Sequence, residues 1–220
     1  MKQYTPRDYS IHGLGQKVGA WLAEHTDQPE KGPIYAYGAE VALGAVVKII
    51  VAGTLAVILG ILPIIALLII ATGVLRVVVG GAHCTAYYRC LIYSLISFFG
   101  LGLLLKHYLP YLTSLSSGVL ILPLLACLII NLRWAPCPPE NRPLRNEAEG
   151  KSKKRLAILI CLVLSVVLLL AGTSHWWVWV VLLGMLSEAV TITPWGIWFV
   201  NGCDRLLAGN IKRKEAELHG

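Results

Sequence analysis

The chain has 220 residues, of which 56% are hydrophobic and 14% charged, with a formal net charge of +7. A water-soluble domain cannot hide so much apolar sequence, and its concentration into uncharged runs, 27 residues between Lys48 and Arg76 and 32 between Arg155 and Glu188, calls for helices of roughly 20 apolar residues that cross a bilayer. The first 40 residues carry Pro6, Pro29, Pro33 and scattered charges in place of the basic, apolar, small-residue order of a cleaved secretory signal, and six cysteines that fall mostly in or beside the apolar runs argue for free thiols over a disulfide framework.

In chain order, Ile11, Leu14, Val18, Trp21 and Leu22 recur at helical spacing, with Gln16, Lys17 and Glu24 elsewhere around the wheel. This is either an amphipathic helix lying flat at the membrane interface or a short packed helix. Six spans are predicted next, at 41–59, 62–79, 91–105, 118–132, 156–172 and 176–192. Lys48, inside the first, must face the protein interior or a wet cavity. Pro63 marks the turn into the second, which ends near Arg76. A polar link from Lys106 to Ser117 separates the third span from the fourth, and His175, Trp176, Trp177 and Trp179 form an interfacial aromatic cluster before the sixth. Pro194 and Gly196 then interrupt the helix, and the tail carries Asp204, Arg205 and the Lys212, Arg213, Lys214 cluster. The predicted fold is all-α: a polytopic membrane protein with about six transmembrane helices, an N-terminal amphipathic interfacial helix and both termini in the cytoplasm.

Charge orients this arrangement. With the N-terminus inside, residues 1–40, 80–90, 133–155 and 193–220 are cytoplasmic, and 133–155 alone carries Arg133, Arg142, Arg145, Lys151, Lys153, Lys154 and Arg155. The opposite links, at about 60–61, 106–117 and 173–175, hold Lys106, as the positive-inside rule expects. Topology thus accounts for the basic balance without nucleic-acid binding, and the same clusters attract anionic lipid. The expected organisation is an interfacial region at 1–40, one integral-membrane domain at 41–192 and a cytoplasmic tail at 193–220. Its functional parts are the segment 76–90 and the basic loop 133–155.

The stretch GGAHCTAYYRC, Gly80 to Cys90, puts an imidazole and two thiols at that cytoplasmic edge. An imidazole can take a proton from a thiol, or pair with the thiolate, and so make a nucleophile. His83 and Cys90 are the leading pair, with Cys84 available as well. Seven residues of continuous helix would put them on one face but about 10.5 Å apart along the axis, too far for proton transfer. A bend at Gly80 and Gly81 that brings His83 back over the first turn of a helix near Cys90 solves this, and a helix N-terminus lowers a thiol pKa further. Two other readings stay open on the residues alone: His83 as an interfacial polar residue beside two small apolar thiols, and His83, Cys84 and Cys90 as an incomplete zinc ligand set without an evident fourth member. Arg76 can bind a substrate carboxylate or an oxyanion if it reaches Cys90, or snorkel to the interface. Arg89 adds positive potential. Glu188 must face a partner or a cavity: it orients His83, meets a basic substrate, or pairs with Lys48. Lys48, Glu188 and Arg76 would also suit a polar path through a small-solute transporter.

Arg76, GGAHC at 80–84, Cys90 and APCPPENRP at 135–143, taken together, resemble the AgrB family, the accessory gene regulator protein B of Gram-positive bacteria. That resemblance implies a membrane-embedded cysteine endopeptidase acting on an AgrD-type signalling propeptide, with His83 as catalytic histidine, Cys90 as nucleophile, and Arg76 and Gly81 as supporting residues. It implies no metal or cofactor, and a homodimer. Cys84 stands where the family usually has a small residue such as Ala, and Val77 and Val78 replace more polar or aromatic residues. The implied reaction is attack by Cys90, assisted by His83, to release the acidic C-terminal part of the propeptide, followed by attack of an internal cysteine or serine on the thioester to close a thiolactone or lactone. The implied substrate has an amphipathic N-terminal helix and an acidic C-terminal part, which Arg142, Arg145, Lys153 and Lys154 would attract.

Overall fold

A computed structural model describes residues 11–26, 29–82, 84–85, 87–138, 144 and 146–218, and for 12, 29 and 210–218 the backbone alone. The described residues are helical almost throughout: α1 (Ile11–His25), a 3-10 turn (Pro29–Lys31), α2 (Gly32–Ile58), α3 (Leu62–Val79), α4 (Tyr87–Leu112), a 3-10 turn (Ser117–Leu120), α5 (Ile121–Trp134), α6 (Glu147–Ala171), α7 (Trp176–Thr191) and α8 (Pro194–Leu218). No β-sheet occurs among them, and pairing outside the helices amounts to one isolated parallel bridge, Gly80 to Cys137. Five helical segments are long and apolar enough to cross a membrane: α2, α3, α4, Ser117–Trp134 and α6. A sixth is possible if α7 and the first part of α8, bent by 83°, count as one broken span. The chain is an all-α polytopic membrane protein.

The helices form two compact units, one ending at Leu55 and the other beginning at Ala56. In the first, α1 lies against the opening turns of α2 through small residues. A Cβ placed on Gly15 would lie 2.9 Å from Glu40 Cβ, and one on Gly19 would lie 2.3 Å from Ala36 Cα. Glycine at this four-residue spacing lets two backbones approach closely. The apolar stripe of Leu14, Val18 and Trp21 stays exposed, so α1 is packed on one face and apolar on another.

In the second unit α3 and α7 form the central pair. Along α3 the buried positions Ile64, Ile65, Leu68, Ala71, Thr72, Leu75 and Val79 trace one helical face. Gly184 of α7 meets Ala71 so closely that an added Cβ would stand 2.7 Å from Ala71 Cβ. α7 is buried nearly all round, from Val178 to Ala189. Outward-facing side chains of α3, α5 and α6 include Ile70, Val77, Leu122 and Leu170, as a lipid-facing surface requires.

The helix ends explain where spans predicted from hydropathy differ. α2 stops in a Schellman turn, with Gly60 at φ +62°, its N–H donating to Val57 O (3.1 Å) and that of Ile61 to Ala56 O (2.9 Å). Gly60 therefore makes the turn, and Pro63 sits within the first turn of α3. α4 runs on through Lys106 and Pro110, so Lys106 belongs to a helix rather than to a link, and its Nζ donates to Leu59 O at 3.3 Å. α6 starts at Glu147, inside the predicted basic loop, because Asn146 caps it by accepting the Glu149 N–H (2.8 Å) and Glu147 and Glu149 suit the positive helix start. Pro194 ends one helix and opens another: Thr193 accepts the Gly196 N–H at 3.0 Å, with proline at the first helical position. Of the predicted aromatic cluster, Trp179 is instead buried, donating through Nε1 to Thr173 O (3.0 Å).

Candidate active site

The segment between α3 and α4 is non-helical where it is described, and α4 begins at Tyr87. Cys90 consequently lies in the first turn of α4, half-buried. His83 lies outside the described residues. What the structure does define is how its neighbours on both sides are held.

Three separate parts of the chain converge on this segment. The first is the stretch after α5. Cys137 N–H donates to Val79 O (2.7 Å) and Cys137 O accepts from Gly81 N–H (2.9 Å), so the APCP portion of the proline-rich motif is tied by its backbone to GG of GGAHC. Gly80, at φ +82°, makes this approach possible: a Cβ there would stand 2.2 Å from Cys137 O.

The second is α7. Arg76 Nη1 donates to both Glu188 carboxylate oxygens, at 3.3 and 3.1 Å, while Nη2 donates to Ala82 O at 2.6 Å. Glu188 is buried, with its side chain 4% exposed against 31% for Arg76. One guanidinium fork thus clamps the carbonyl just before His83 to α7, a geometry that an ammonium cannot reproduce. Gly81 fits beneath it, since a Cβ would sit 3.1 to 3.3 Å from Thr191 Oγ1, Arg76 Nη1 and Glu188 Oε1. His83, a basic substrate and Lys48 are the partners anticipated for Glu188; among the described residues it meets Arg76, which faces it across the central α3–α7 contact. Arg76 thus holds the loop carbonyl of Ala82 as well as the Glu188 carboxylate.

The third is α8. Asp204 Oδ1 accepts from the Thr85 N–H (3.2 Å) and Oδ2 from the Thr85 hydroxyl (2.8 Å). Arg89 Nη1 reaches Asp204 Oδ1 at 3.0 Å and its carbonyl at 3.3 Å. Residue reasoning noted Asp204 as part of a tail and missed this role. The available signal was an acid standing in the largely apolar WFVNGCDRLL, beside Arg205.

The thiols differ in their surroundings. Burial, reinforced by the neighbouring Cys90 thiol and the Asp204 carboxylate and partly offset by Arg89, pushes the Cys84 thiol up to about 11. Burial also raises Cys137, with Arg76 acting against it and Glu188 with it. Among the described residues no three His, Cys, Asp or Glu side chains are placed to hold a metal ion. Of the basic residues expected to meet substrate, Arg142 and Arg145 lie outside the described residues. Lys153 stands on α6, paired with Glu149 at 3.0 Å, and Lys154 is half-buried on the same helix.

The family model for accessory gene regulator B, AgrB, matches residues 16–192. The chain belongs to the AgrB family. A protein of Clostridium beijerinckii described as AgrB-like is 33% identical over 89 residues, 40% of this chain and 43% of that protein, so the match spans less than half of that relative. No solved structure matches. For this AgrB-family chain the matched range takes in Arg76, Cys90, Cys137 and Glu188 and stops short of α8, so the Asp204 clamp lies beyond it.

Proposed function

We propose that this protein is a cysteine endopeptidase of the membrane that cleaves an AgrD-type propeptide through an acyl-enzyme thioester. Family membership supports the substrate class. The observation that carries the chemistry is the position of Cys90, in the first turn of α4 directly after a loop pinned on either side of His83.

In this reading His83 takes the Cys90 proton, the Cys90 sulfur attacks the carbonyl of the scissile peptide bond, and the proton passes to the leaving amine as the acidic C-terminal part departs. The N-terminal fragment remains as a thioester on Cys90. Its internal cysteine or serine then attacks that thioester, closing the ring and returning the Cys90 thiol. Thioester exchange keeps the acyl group activated, so ring closure need not start from a free acid, and screening the thioester from water favours cyclisation over hydrolysis. Arg76, Gly81 and Glu188 position the loop, and Arg142, Arg145, Lys153 and Lys154 attract the acidic part of the substrate. The amphipathic part of the propeptide and anionic lipid gather at the cytoplasmic face, and the enzyme works as a homodimer.

The test is reconstitution of the full chain in lipid vesicles with its cognate propeptide, followed by mass analysis. A propeptide fragment on Cys90, released by hydroxylamine, is expected, and Cys90→Ala is expected to lose both adduct and cleavage, by more than about 1,000-fold. Cleavage that persists in Cys90→Ala sinks the reading.

A further inference from the structure

We infer that Asp204, on a helix outside the family-matched range, is a positioning residue that fixes the start and the rotational phase of α4 and thereby aims Cys90. The inference rests on the peptidase reading above for its catalytic consequence, and on geometry alone for the rest.

The construction starts in α8. Gly196 lets the new helix turn away from α7, since a Cβ there would collide with Val190 O at 1.9 Å. Beyond the 83° bend, Val200 and Asp204, four residues apart, both face inward at 2% and 7% exposure, while Trp195, Trp198 and Leu206 face outward. A carboxylate at that depth is costly unless its oxygens are satisfied. Among the described residues they are satisfied by Thr85, through both its N–H and its hydroxyl, and by Arg89 through Nη1.

The placement of those partners matters more than their number. Thr85 lies two residues before α4 and Arg89 two residues after its first residue. One rigid acceptor therefore grips the chain on both sides of the point where helix begins, as Tyr93 of α4 packs edge-on against Phe199 of α8 at 6.4 Å. Cys90 follows Arg89 directly, a further 100° of rotation and 1.5 Å of rise. With Arg89 anchored, the direction of the Cys90 side chain is set. A carboxylate beside the first turn also complements the helix dipole. Release of the grip would let the first turn fray, and displacement of a reacting group by about 1 Å can cost on the order of 100-fold in rate.

The experiment uses the full chain in lipid vesicles, with Asp204→Ala, Asp204→Asn and Asp204→Glu. Two readouts are taken: amide hydrogen exchange over residues 82–90, which needs no substrate, and kcat and KM for the cognate propeptide. Asp204→Ala is expected to speed exchange at Thr85 at least about tenfold and to lower kcat by about 10- to 100-fold, with KM within about twofold. Asp204→Asn retains an oxygen for the Thr85 N–H and is expected to recover most of the protection and part of kcat. It also serves if the alanine variant fails to fold. Adding Thr85→Ala to Asp204→Ala is expected to cost little more, because the Thr85 hydroxyl contact is already lost with the Asp204 carboxylate. Unchanged exchange in a folded Asp204→Ala protein overturns the inference, as does faster exchange with kcat intact. If Cys90→Ala still cleaves, the peptidase reading has failed, and the exchange measurement independently decides whether Asp204 sets the turn.

Discussion

The helical bundle that begins at Ala56 is finished differently at its two ends. Around Gly60 and Thr113 the backbone closes locally, Gly60 and Ile61 returning to Val57 and Ala56 and Thr113 N–H to Leu109 O, and the longer-range bonds there, Lys106 Nζ to Leu59 O and Thr173 Oγ1 to Leu115 O, end on backbone carbonyls and form no ion pair. Around Gly80 the chain is held from far away. Arg76 and Glu188 are 112 residues apart, Thr85 and Asp204 119, and the backbone bond to Cys137 joins two connectors. Local bonds suffice to end a helix. In the peptidase reading proposed above, a segment that presents a histidine and a thiol in one fixed relation needs restraints from several directions, and charge-assisted bonds supply the strongest of them.

The sharpest way to break this comparison is to cut the Arg76 clamp. Glu188→Ala leaves a guanidinium with one partner, and the cost in stability is expected at about 1.5 to 3 kcal/mol, the range for hydrogen bonds to charged groups. Cleavage is expected to fall further than stability explains, by about 10- to 100-fold, because the carbonyl before His83 is no longer fixed. Glu188→Gln, which keeps an acceptor, should be milder. Arg76→Lys should behave like a loss, since one ammonium cannot serve Glu188 and Ala82 O as a fork does. Thermal unfolding and propeptide cleavage in the same vesicles measure both quantities, and full activity in a destabilised Glu188→Ala protein would mean the clamp serves the fold alone.

Much of this was legible in the residues, and the limits have physical causes. Spans such as 62–79 could be read directly, because every residue of α3 must satisfy an apolar surrounding and hydropathy reports that. Helix ends were misplaced where capping overrides composition: Asn146 with Glu149 starts α6 amid charges, and α4 continues through Lys106. The segment Gly80–Cys90 could be singled out because an imidazole and thiols between apolar runs are unusual. Its restraints were hidden. Which carboxylate meets which arginine depends on how α7 and α8 pack against α3 and α4, and spacing along the chain carries no such information. Glu188 drew notice without its partner; Asp204 seemed one charge among several in a tail.

A matched pair of glycines gives a finer test of the two ends. Gly80, at φ +82° and ψ −140°, holds a conformation that costs a residue with a Cβ about 1 to 3 kcal/mol, and Gly60, at φ +62°, one that costs about 1 to 2 kcal/mol. Gly60→Ala is expected to lower stability by that amount and leave cleavage per folded molecule unchanged. Gly80→Ala adds a collision with Cys137 O, separates the proline-rich stretch from the loop, and is expected to reduce cleavage about tenfold or more. Similar activity losses in the two variants, once corrected for the folded fraction, would erase the distinction between the ends.

The smallest expected effect falls on the loop itself, at Cys84. Its sulfur sits closer in sequence to His83 than Cys90 does, so proximity alone would favour it as nucleophile. Its surroundings do not. Burial, the Cys90 thiol and the Asp204 carboxylate all disfavour charge there, and with a pKa of about 11 roughly one molecule in a thousand carries the Cys84 thiolate at pH 8. Alkylation of Cys84 in the intact folded protein, read by mass analysis after digestion, should therefore be about a hundredfold slower at pH 8 than that of an ordinary exposed cysteine, and should climb about tenfold per pH unit toward pH 11. Cys84→Ala removes no hydrogen bond of the three clamps, and is expected to keep cleavage within about twofold, the scale of a substitution away from critical contacts. Rapid labelling at neutral pH, or loss of cleavage in Cys84→Ala with the adduct still absent from Cys90, would transfer the nucleophile's role to Cys84 and leave Asp204 aiming the wrong sulfur.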